Sequence, residues 1–229
     1  MQVRPDLYGP VHKGLRHALN ASLLKLGQLD PSDAADVGEA LLELRDVLAW
    51  CEKHLEIEEE FVHAAVERKR PAALVGRLRG DHESHQRDFS LLRDDADALA
   101  RSLAETPAVQ KARARQLYLG FSRFVAENLA HMAVEETEMN TLLAELFTAE
   151  ELGAIFVSIL ASEPPEQLMR GVRWVMPAVD PAERAAMARV ARAGVEPAVF
   201  GQLLAALKGT LSARDHEKLL HALGSSEAA

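Results

Sequence analysis

Hydrophobic residues recur along most of the chain at alternating steps of three and four, the spacing of one buried face of an α-helix. Leu117, Phe121 and Phe124 show this spacing clearly. Prolines and short polar turns divide the pattern, so that four long helices are predicted over residues 6–27, 30–70, 72–105 and 107–147. No segment alternates strictly between polar and apolar residues, and there is no glycine-rich phosphate loop. The predicted fold class is all-α, with these helices in an up-down-up-down four-helix bundle.

After residue 147 the chain changes to shorter segments that begin at proline or at a capping residue. Thr148 and Glu151 have the spacing of a capping box, and so do Asp180 and Glu183. Further helices are predicted to start at Pro164-Pro165, after Glu196-Pro197 and at Ser212, and residues 225–229 are predicted to fray. We therefore predict a bundle domain in residues 1–147 and a C-terminal helical extension in residues 148–229.

The composition limits the classes of function that the chain can serve. Its 229 residues suffice for one large or two modest domains. The formal net charge of -9 argues against a general nucleic-acid binder, which needs a basic face. No long apolar run marks a membrane span or a secretion signal. The single cysteine, Cys51, excludes an internal disulfide and a cysteine-based zinc motif. We therefore expect a cytoplasmic protein that binds neither nucleic acid nor membranes.

Nine histidines are an unusual number for such a chain, and their positions carry the functional prediction. On each long helix the apolar face is interrupted at one level by imidazole or carboxylate groups. On the fourth helix, for example, the seam that contains Phe124 continues into His131 and Glu135. The interrupting residues of the four helices are His12, His54, Glu58, His82, His85, His131 and Glu135.

These positions fall at one height in an antiparallel bundle. His54 lies roughly three to four turns before the second loop and His82 about as far after it, at about 3.6 residues per turn. His85 and His131 are each about six turns from the third loop. His12 matches less well, because it is about four turns before the first loop whereas His54 is about six turns after it. The pattern predicts that the polar groups of all four helices meet.

Five imidazoles and two carboxylates buried without partners would heavily destabilise the fold. Metal coordination removes that cost. Imidazole and carboxylate ligands suit iron, manganese or zinc, and the absence of thiolates disfavours copper(I) and iron–sulfur clusters. Seven ligands are too many for one tetrahedral zinc ion. Two irons bridged by both carboxylates would use all of them.

The motifs that hold these residues resemble those of the hemerythrin-like, or HHE cation-binding, family. They are His54-Leu-Glu-Ile-Glu58-Glu59, Asp81-His82-Glu-Ser-His85, His131-Met-Ala-Val-Glu135-Glu136, and His12 within Val11-His12-Lys-Gly-Leu-Arg16. The resemblance covers roughly residues 6–147 and implies a left-handed four-helix bundle with two iron ions, carboxylate- and oxo-bridged. It implies terminal nitrogen ligands and bridging carboxylates at these positions: His12, His54, His82, His85 and His131, and Glu58 and Glu135.

Two details depart from the oxygen-carrying hemerythrins. The histidines of the third helix, His82 and His85, are three residues apart instead of four, and the fourth helix has His-x-x-x-Glu instead of His-x-x-x-x-Asp. Both departures resemble the broader bacterial hemerythrin-like proteins and their iron-sensing relatives. An alternative for His85 is that it orients another ligand through a hydrogen bond instead of binding metal itself.

Other residues near the seams have simpler interpretations. Glu138 continues the seam of the fourth helix and is kept as a reserve ligand. Tyr8 is interpreted as core that can line the site, and Cys51 as a small buried hydrophobe. His17 and His63 fall off the seams and are interpreted as surface or packing residues.

These observations lead to three hypotheses of function. The first is a non-haem di-iron protein that binds or responds to O2, NO, peroxide or iron, in sensing, storage or detoxification. The second is a peroxidase- or oxidase-like enzyme in the same fold, with Tyr8 or Glu138 as proton donor. The third is a protein-interaction module in which metal only stabilises the bundle, and a partner binds residues 148–224.

Overall fold

The computed structural model describes residues 5–224, apart from the side chains of Pro165, Glu166 and Leu168. Within that range the chain forms nine helices and no strand, which confirms the all-α prediction. The long helices are α1 (Gly9–Gln28), α2 (34–69), α3 (Ala73–Ser102) and α4 (107–146). The shorter helices are α5 (Ala149–Ser162), α6 (Pro165–Ala178), α7 (Pro181–Gly194), α8 (Pro197–Thr210) and α9 (Ala213–Leu223). The predicted fraying at 225–229 lies outside the described residues.

Two of the long helices contain an internal π segment. In α2 the segment Glu58–His63 joins Ala34–Ile57 to Ala64–Lys69, and in α4 the segment Glu135–Met139 joins Pro107–Val134 to Asn140–Leu146. A π turn has i→i+5 hydrogen bonds and accommodates one residue more than an α turn. The buried face of each helix is therefore displaced by one residue after its π segment.

This displacement accounts for the errors in the predicted seams of α2 and α4. At the end of the first π segment Val62 is buried, whereas Phe61, the position that ordinary α-helical spacing from Glu58 would place on the buried face, is only half-buried. After the second, Met139 and Leu143 are buried, whereas the predicted Glu138 is exposed. A seam extended at ordinary α-helical spacing cannot include the additional residue.

Alanine substitution at the end of α4 tests the displaced face. Met139→Ala is expected to lower the free energy of unfolding by at least about 2 kcal/mol, because a cavity replaces a fully buried side chain. Leu142→Ala removes a half-buried side chain and is expected to cost clearly less. Denaturant titrations followed by circular dichroism would measure both, and equal losses would contradict the displacement.

Ion pairs between neighbouring long helices show their relative direction. Between α2 and α3, Arg45 Nη2 lies 2.7 Å from Asp97 Oδ1, and Arg79 Nη1 lies 2.6 Å from Glu67 Oε1. Residue numbers rise along one helix as they fall along the other, so the two helices are antiparallel. The same reversal holds for Ser22–Glu43 and Lys25–Glu39 between α1 and α2, and for Asp95–Gln116 and Arg77–Glu138 between α3 and α4. The up-down-up-down prediction is confirmed.

The core at the π-segment end of the bundle includes residues from α5. Tyr8, Val66, Leu78 and Met139 belong to one buried cluster that also contains Leu152 of α5. The predicted capping box at the start of α5 is confirmed by two reciprocal hydrogen bonds between residues 148 and 151, of 2.8 and 3.2 Å. The boundary at 147/148 stays a prediction, although α5 packs with the residues before it.

Contacts divide the described chain into two compact units, residues 5–8 with 18–162, and residues 9–17 with 163–224. The second unit has its own apolar core, formed by Val172, Met176, Ala185, Ala188, Phe200, Leu207, Leu211, Leu219 and Leu223. Within it, Arg184 donates to the carbonyl oxygens of Met176 and Val179 at 2.7 and 2.8 Å and so caps the end of α6. Lys13 Nζ lies 2.7 Å from Glu183 Oε2 and ties residues 9–17 to α7.

The start of α2 differs from the prediction. Asp33, not Asp30, is the N-cap, and its side chain accepts hydrogen bonds from the amides of Ala35 and Asp36. Asp30 instead accepts from the amide of Ser32 at 2.9 Å, which closes a local turn before the helix. Of the two aspartates, Asp33 caps the helix and Asp30 forms the turn before it.

Candidate metal centre

A buried carboxylate occupies the first position of each π segment. Glu58 and Glu135 expose 2% and 0% of their surface. Each follows a histidine by four residues, which places both side chains on one helical face. His54 Nε2 lies 2.9 Å from Glu58 Oε1, and His131 Nε2 lies 3.3 Å from Glu135 Oε1. Both His-x-x-x-Glu motifs thus hold an imidazole against a buried carboxylate.

Helix α3 brings a third imidazole to the same place. His82 Nε2 lies 3.1 Å from His131 Nε2, 3.5 Å from Glu58 Oε2 and 3.9 Å from Glu135 Oε1. These four buried residues offer ligand atoms that all lie within 4.8 Å of one another. Two imidazoles and two carboxylates in such proximity form a donor set that suits divalent iron, manganese or zinc.

His54 and His12 are the predicted ligands on the first two helices. His54 is 8% exposed, and its Nε2 lies against Glu58. His12 is fully buried on α1, and its role as a ligand stays a prediction. Glu58 and Glu135 each lie beside the histidine of their own helix and also beside His82, so these carboxylates are the residues that two neighbouring ions would share.

His85, the last predicted ligand, is not part of this buried group. Its ring packs edge-on against His131 and Phe124, with centroid distances of 5.3 and 5.9 Å. Neither ring nitrogen has a hydrogen-bond partner in the part of the chain that the structure describes. His85 does group with Asp88 and Glu127, whose ligand atoms lie within 4.8 Å of its own. Its role as an iron ligand stays a prediction.

Two carboxylates outside these groups orient the facing rings. His82 Nδ1 lies 2.9 Å from Glu59 Oε1, and His131 Nδ1 lies 3.3 Å from Asp81 Oδ2. An ionised carboxylate only accepts hydrogen bonds, so Nδ1 of each ring carries a hydrogen and Nε2 presents its lone pair inwards. The two Nε2 atoms then face each other at 3.1 Å, which requires a proton or a cation between them. The site therefore fits a bound cation.

Arg79 holds Glu59 in its place. Its Nε donates to Glu59 Oε2 at 2.8 Å, and its two terminal nitrogens donate to Glu67 at 2.6 and 3.0 Å. Partial burial acts to raise the pKa of Glu59, but the hydrogen bond from Arg79 and the interactions with His63 and His82 outweigh it and lower that pKa. Glu59 is thus kept in the ionised form that orients His82.

The two facing histidines have opposite pKa shifts. Burial lowers the pKa of His82 to about 4, against the opposing charge of Glu58. Burial also acts to lower the pKa of His131, but the hydrogen bond and charge of Glu135, with the charge of Glu58, outweigh it and raise that pKa. Both shifts favour a proton on His131 over one on His82 when no metal is bound. Metal binding at this place therefore competes with protonation.

Glu59→Gln tests whether an oriented His82 contributes to metal affinity. The amide cannot fix the hydrogen on His82 Nδ1 as a carboxylate does, so metal affinity is expected to fall about 10–100-fold. Competition with a chromogenic chelator would measure the affinity. Glu60→Gln, at an exposed position in the same π segment, is the matched control and is expected to leave affinity unchanged. Equal affinities for the two variants would contradict the orienting role.

His63 and Asp81 contact residues of the site, although the sequence pattern predicts no such role for either. His63 is fully buried, stacks on His82 at a centroid distance of 5.2 Å and contacts Glu59 Oε1 through Nδ1 at 3.1 Å. A signal for His63 was present, because Glu59 precedes it by four residues. The contact of Asp81 with His131 joins two helices, and no local spacing indicates it.

The structure also tests the interpretations of Cys51, Tyr8 and Glu138. Cys51 is buried, and burial raises the pKa of its thiol to about 12, which confirms the interpretation as a small hydrophobe. Tyr8 is 1% exposed, and burial together with the charge of Glu58 raises its pKa well above the usual value. The prediction of Glu138 as a reserve ligand is wrong. Its exposed carboxylate lies 2.8 Å from Arg77 Nη2.

Comparison with known families agrees with this geometry. No curated protein sequence matches the chain. Residues 8–143 match the Hemerythrin HHE cation binding domain. This span contains both π segments and all seven predicted ligands, and it makes up more than half of the 229 residues. The chain therefore belongs to the hemerythrin HHE cation-binding domain family.

Proposed function

We propose that the chain is a non-haem di-iron protein. The proposed ligands are four histidines, His12, His54, His82 and His131, with Glu58 and Glu135 as the bridging carboxylates. The observation that carries the proposal is the convergence of three of these histidines, on three helices, around the two buried carboxylates. Imidazole nitrogen and carboxylate oxygen without thiolate are ligands that suit iron, and the family match supports a cation at this place.

A pair of ferrous ions would supply electrons to O2, NO or peroxide, and we propose a role in sensing, storage or detoxification of such species or of iron. The chain itself holds the ions apart from bulk water and fixes the ligand geometry. Glu59 and Asp81 keep the lone pairs of their histidines directed inwards. Buried aromatic rings pack beside His85, with Phe124 against both Phe89 and Phe121. These rings form an apolar wall beside His131 and His85.

A peroxidase- or oxidase-like enzyme is the second candidate, and Tyr8 is the observation that favours it. Turnover needs a proton donor near the ions. Of the two donors predicted from the sequence, Glu138 is exposed and paired with Arg77, whereas Tyr8 is buried and interacts with the charges of Glu58 and Glu135. If the chain turns over peroxide, Tyr8→Phe is expected to lower the turnover number while leaving the iron content unchanged.

The cellular location follows from the sequence alone and stays a prediction. None of the helices in residues 5–224 combines the length and apolar character needed to cross a membrane. We place the protein in the cytoplasm, with a small diatomic molecule or peroxide as its ligand.

Metal analysis with optical spectra of anaerobically reduced protein tests the proposal. We expect about two irons per chain and a new near-ultraviolet absorption when air or NO is admitted. Reversal of the spectrum on removal of the gas would favour a carrier or sensor, and consumption of peroxide would favour the enzyme. One metal per chain, or a spectrum indifferent to these reagents, would leave the protein-interaction module as the better account.

A further inference from the structure

A set of ligand side chains lies outside the six residues of the proposed centre. His85 and Asp88 of α3 and Glu127 of α4 each offer one ligand atom, and these atoms lie within 4.8 Å of one another. His85 is buried, Asp88 is half-buried and Glu127 is exposed. The set therefore leads from the interior of the bundle to solvent.

His85 has buried polar atoms that its surroundings leave unpaired. The residue is 3% exposed, and neither ring nitrogen has a hydrogen-bond partner within residues 5–224. Asp88 Oδ2 is likewise buried without a hydrogen-bond partner in that range. Buried polar groups in native proteins are almost always paired, so an imidazole and a carboxylate oxygen left unpaired beside each other indicate a missing ligand.

The separation of these two groups suits a metal ion better than a direct hydrogen bond. His85 Nδ1 lies 3.9 Å from Asp88 Oδ2, which is too far for a hydrogen bond. Two atoms that bind one ion at about 2.1 Å each are at most about 4.2 Å apart. One imidazole with two carboxylates suits Mn²⁺, Fe²⁺ or Zn²⁺, and three protein ligands leave positions for exchangeable water.

We propose that His85, Asp88 and Glu127 form an outer divalent-cation site, separate from the buried pair. The site passes cations inwards. The ring of His85 contacts that of His131 at a centroid distance of 5.3 Å, so a cation held by His85 is next to a proposed ligand of the centre. Glu127 provides the exposed end at which a hydrated cation arrives. The loading role rests on the proposed di-iron function, whereas the outer site itself does not.

The outer site is tested by Mn²⁺ titration of the iron-loaded, full-length protein, with free Mn²⁺ measured by electron paramagnetic resonance. The native chain is expected to bind about one Mn²⁺. The variant Asp88→Asn/Glu127→Gln is expected to bind it at least ten-fold more weakly. The control Asp94→Asn/Glu105→Gln removes two exposed carboxylates from the same part of the chain and is expected to bind as the native chain does.

Crystals soaked in MnCl2 give the position of the ion. Anomalous scattering is expected at coordination distance from a His85 nitrogen and an Asp88 oxygen. A native chain without an additional Mn²⁺, a double variant that binds as well as the control, or an ion shared by His85 and His131 without Asp88 would each overturn the outer site.

The loading role is tested by the rate at which metal-free protein takes up Fe²⁺ anaerobically. Asp88→Asn/Glu127→Gln is expected to fill at least five-fold more slowly than the control variant, yet to reach the same final iron content. An unchanged rate would overturn the loading role, and a lower final content would show that these residues belong to the buried centre. If the native chain holds no iron pair, the proposed function fails, and the position of Mn²⁺ in the soaked crystals still decides the outer site.

Discussion

Replacing Glu58 and Glu135 together by glutamine is expected to abolish the metal pair and to leave the metal-free bundle at least as stable as the native one. The two carboxylates are buried, and their oxygens lie within 4.8 Å of each other. Two negative charges held so close in a dry interior disfavour the folded state. Glutamine has nearly the same shape without the charge, so that cost disappears together with the ability to bridge two cations.

The expected size of the effect follows from linkage between binding and folding. A ligand that binds only the folded state stabilises it by about 2.7 kcal/mol when its concentration is 100 times its Kd. The native chain is therefore expected to unfold at a clearly higher temperature with Fe²⁺ than without it, and the double variant at the same temperature in both conditions. Anaerobic calorimetry and iron analysis measure the two quantities.

Glu60→Gln/Glu138→Gln is the matched control, because it removes two exposed carboxylates from the same π segments. It is expected to keep the iron pair and the full temperature difference. Retention of two irons by the Glu58→Gln/Glu135→Gln variant would contradict the bridging role. A metal-free variant that unfolds well below the metal-free native chain would show that the carboxylates contribute to folding itself.

Many of the buried imidazole and carboxylate residues could be predicted from the sequence because helical periodicity is local. On α3 the steps of three and four residues from Leu78 to His82, His85 and Phe89 continue through an uninterrupted α-helix, and all four residues are buried. A hydrophobic pattern of this kind assigns positions to one face whatever the partner helices are. The sequence could therefore predict which residues face the interior of the bundle on such a helix.

The pattern failed after Glu58 and Glu135 because the backbone departs from α geometry at those residues. A π turn is rare and occurs mostly as a single turn within an α-helix. In this chain the π turn changes which residues face the core: Val62 is buried instead of Phe61, and Met139 is buried instead of Glu138. The amino acids present are compatible with either set of buried positions, so only the packed structure decides between the two sets.

Pairing between helices was the other feature that the sequence could not fix. The hydrogen bonds from His82 to Glu59 and from His131 to Asp81 depend on the axial register of neighbouring helices to within a few ångströms. Counting turns from a loop is too coarse for this purpose. His85 illustrates the limit, since it lies about 4.5 Å further along the axis of α3 than His82 and is not part of the buried group around Glu58 and Glu135.

Deletion of Glu60 is expected to convert the first π segment to α-helix, to preserve the fold and to weaken metal binding at least ten-fold. The π turn brings adjacent residues to one imidazole, with Glu58 Oε2 3.5 Å from His82 Nε2 and Glu59 Oε1 2.9 Å from His82 Nδ1. Consecutive side chains of an α-helix diverge by about 100°. A π turn rotates by less per residue, so conversion to α-helix is expected to move the two carboxylates apart and to take from His82 the partner that orients it.

The fold is expected to survive this deletion because the residue removed is the additional one. Without Glu60, Val62 and Val66 follow Glu58 at the third and seventh positions, which is the ordinary spacing of a buried helical face. Deletion of Arg87, an exposed residue of regular α3, is the contrasting control. It rotates the remainder of that helix by about 100° and is expected to unfold the bundle.

Circular dichroism and chelator competition distinguish the two deletions. The Glu60 deletion is expected to keep native helicity and cooperative unfolding but to lose metal to a chelator that the native chain resists. If it unfolds as the Arg87 deletion does, the additional residue is part of the core packing. If it binds metal as tightly as the native chain, the π turn has no part in orienting His82. The expected combination, a stable bundle with a weakened centre, would mean that this residue is retained for metal binding and not for folding.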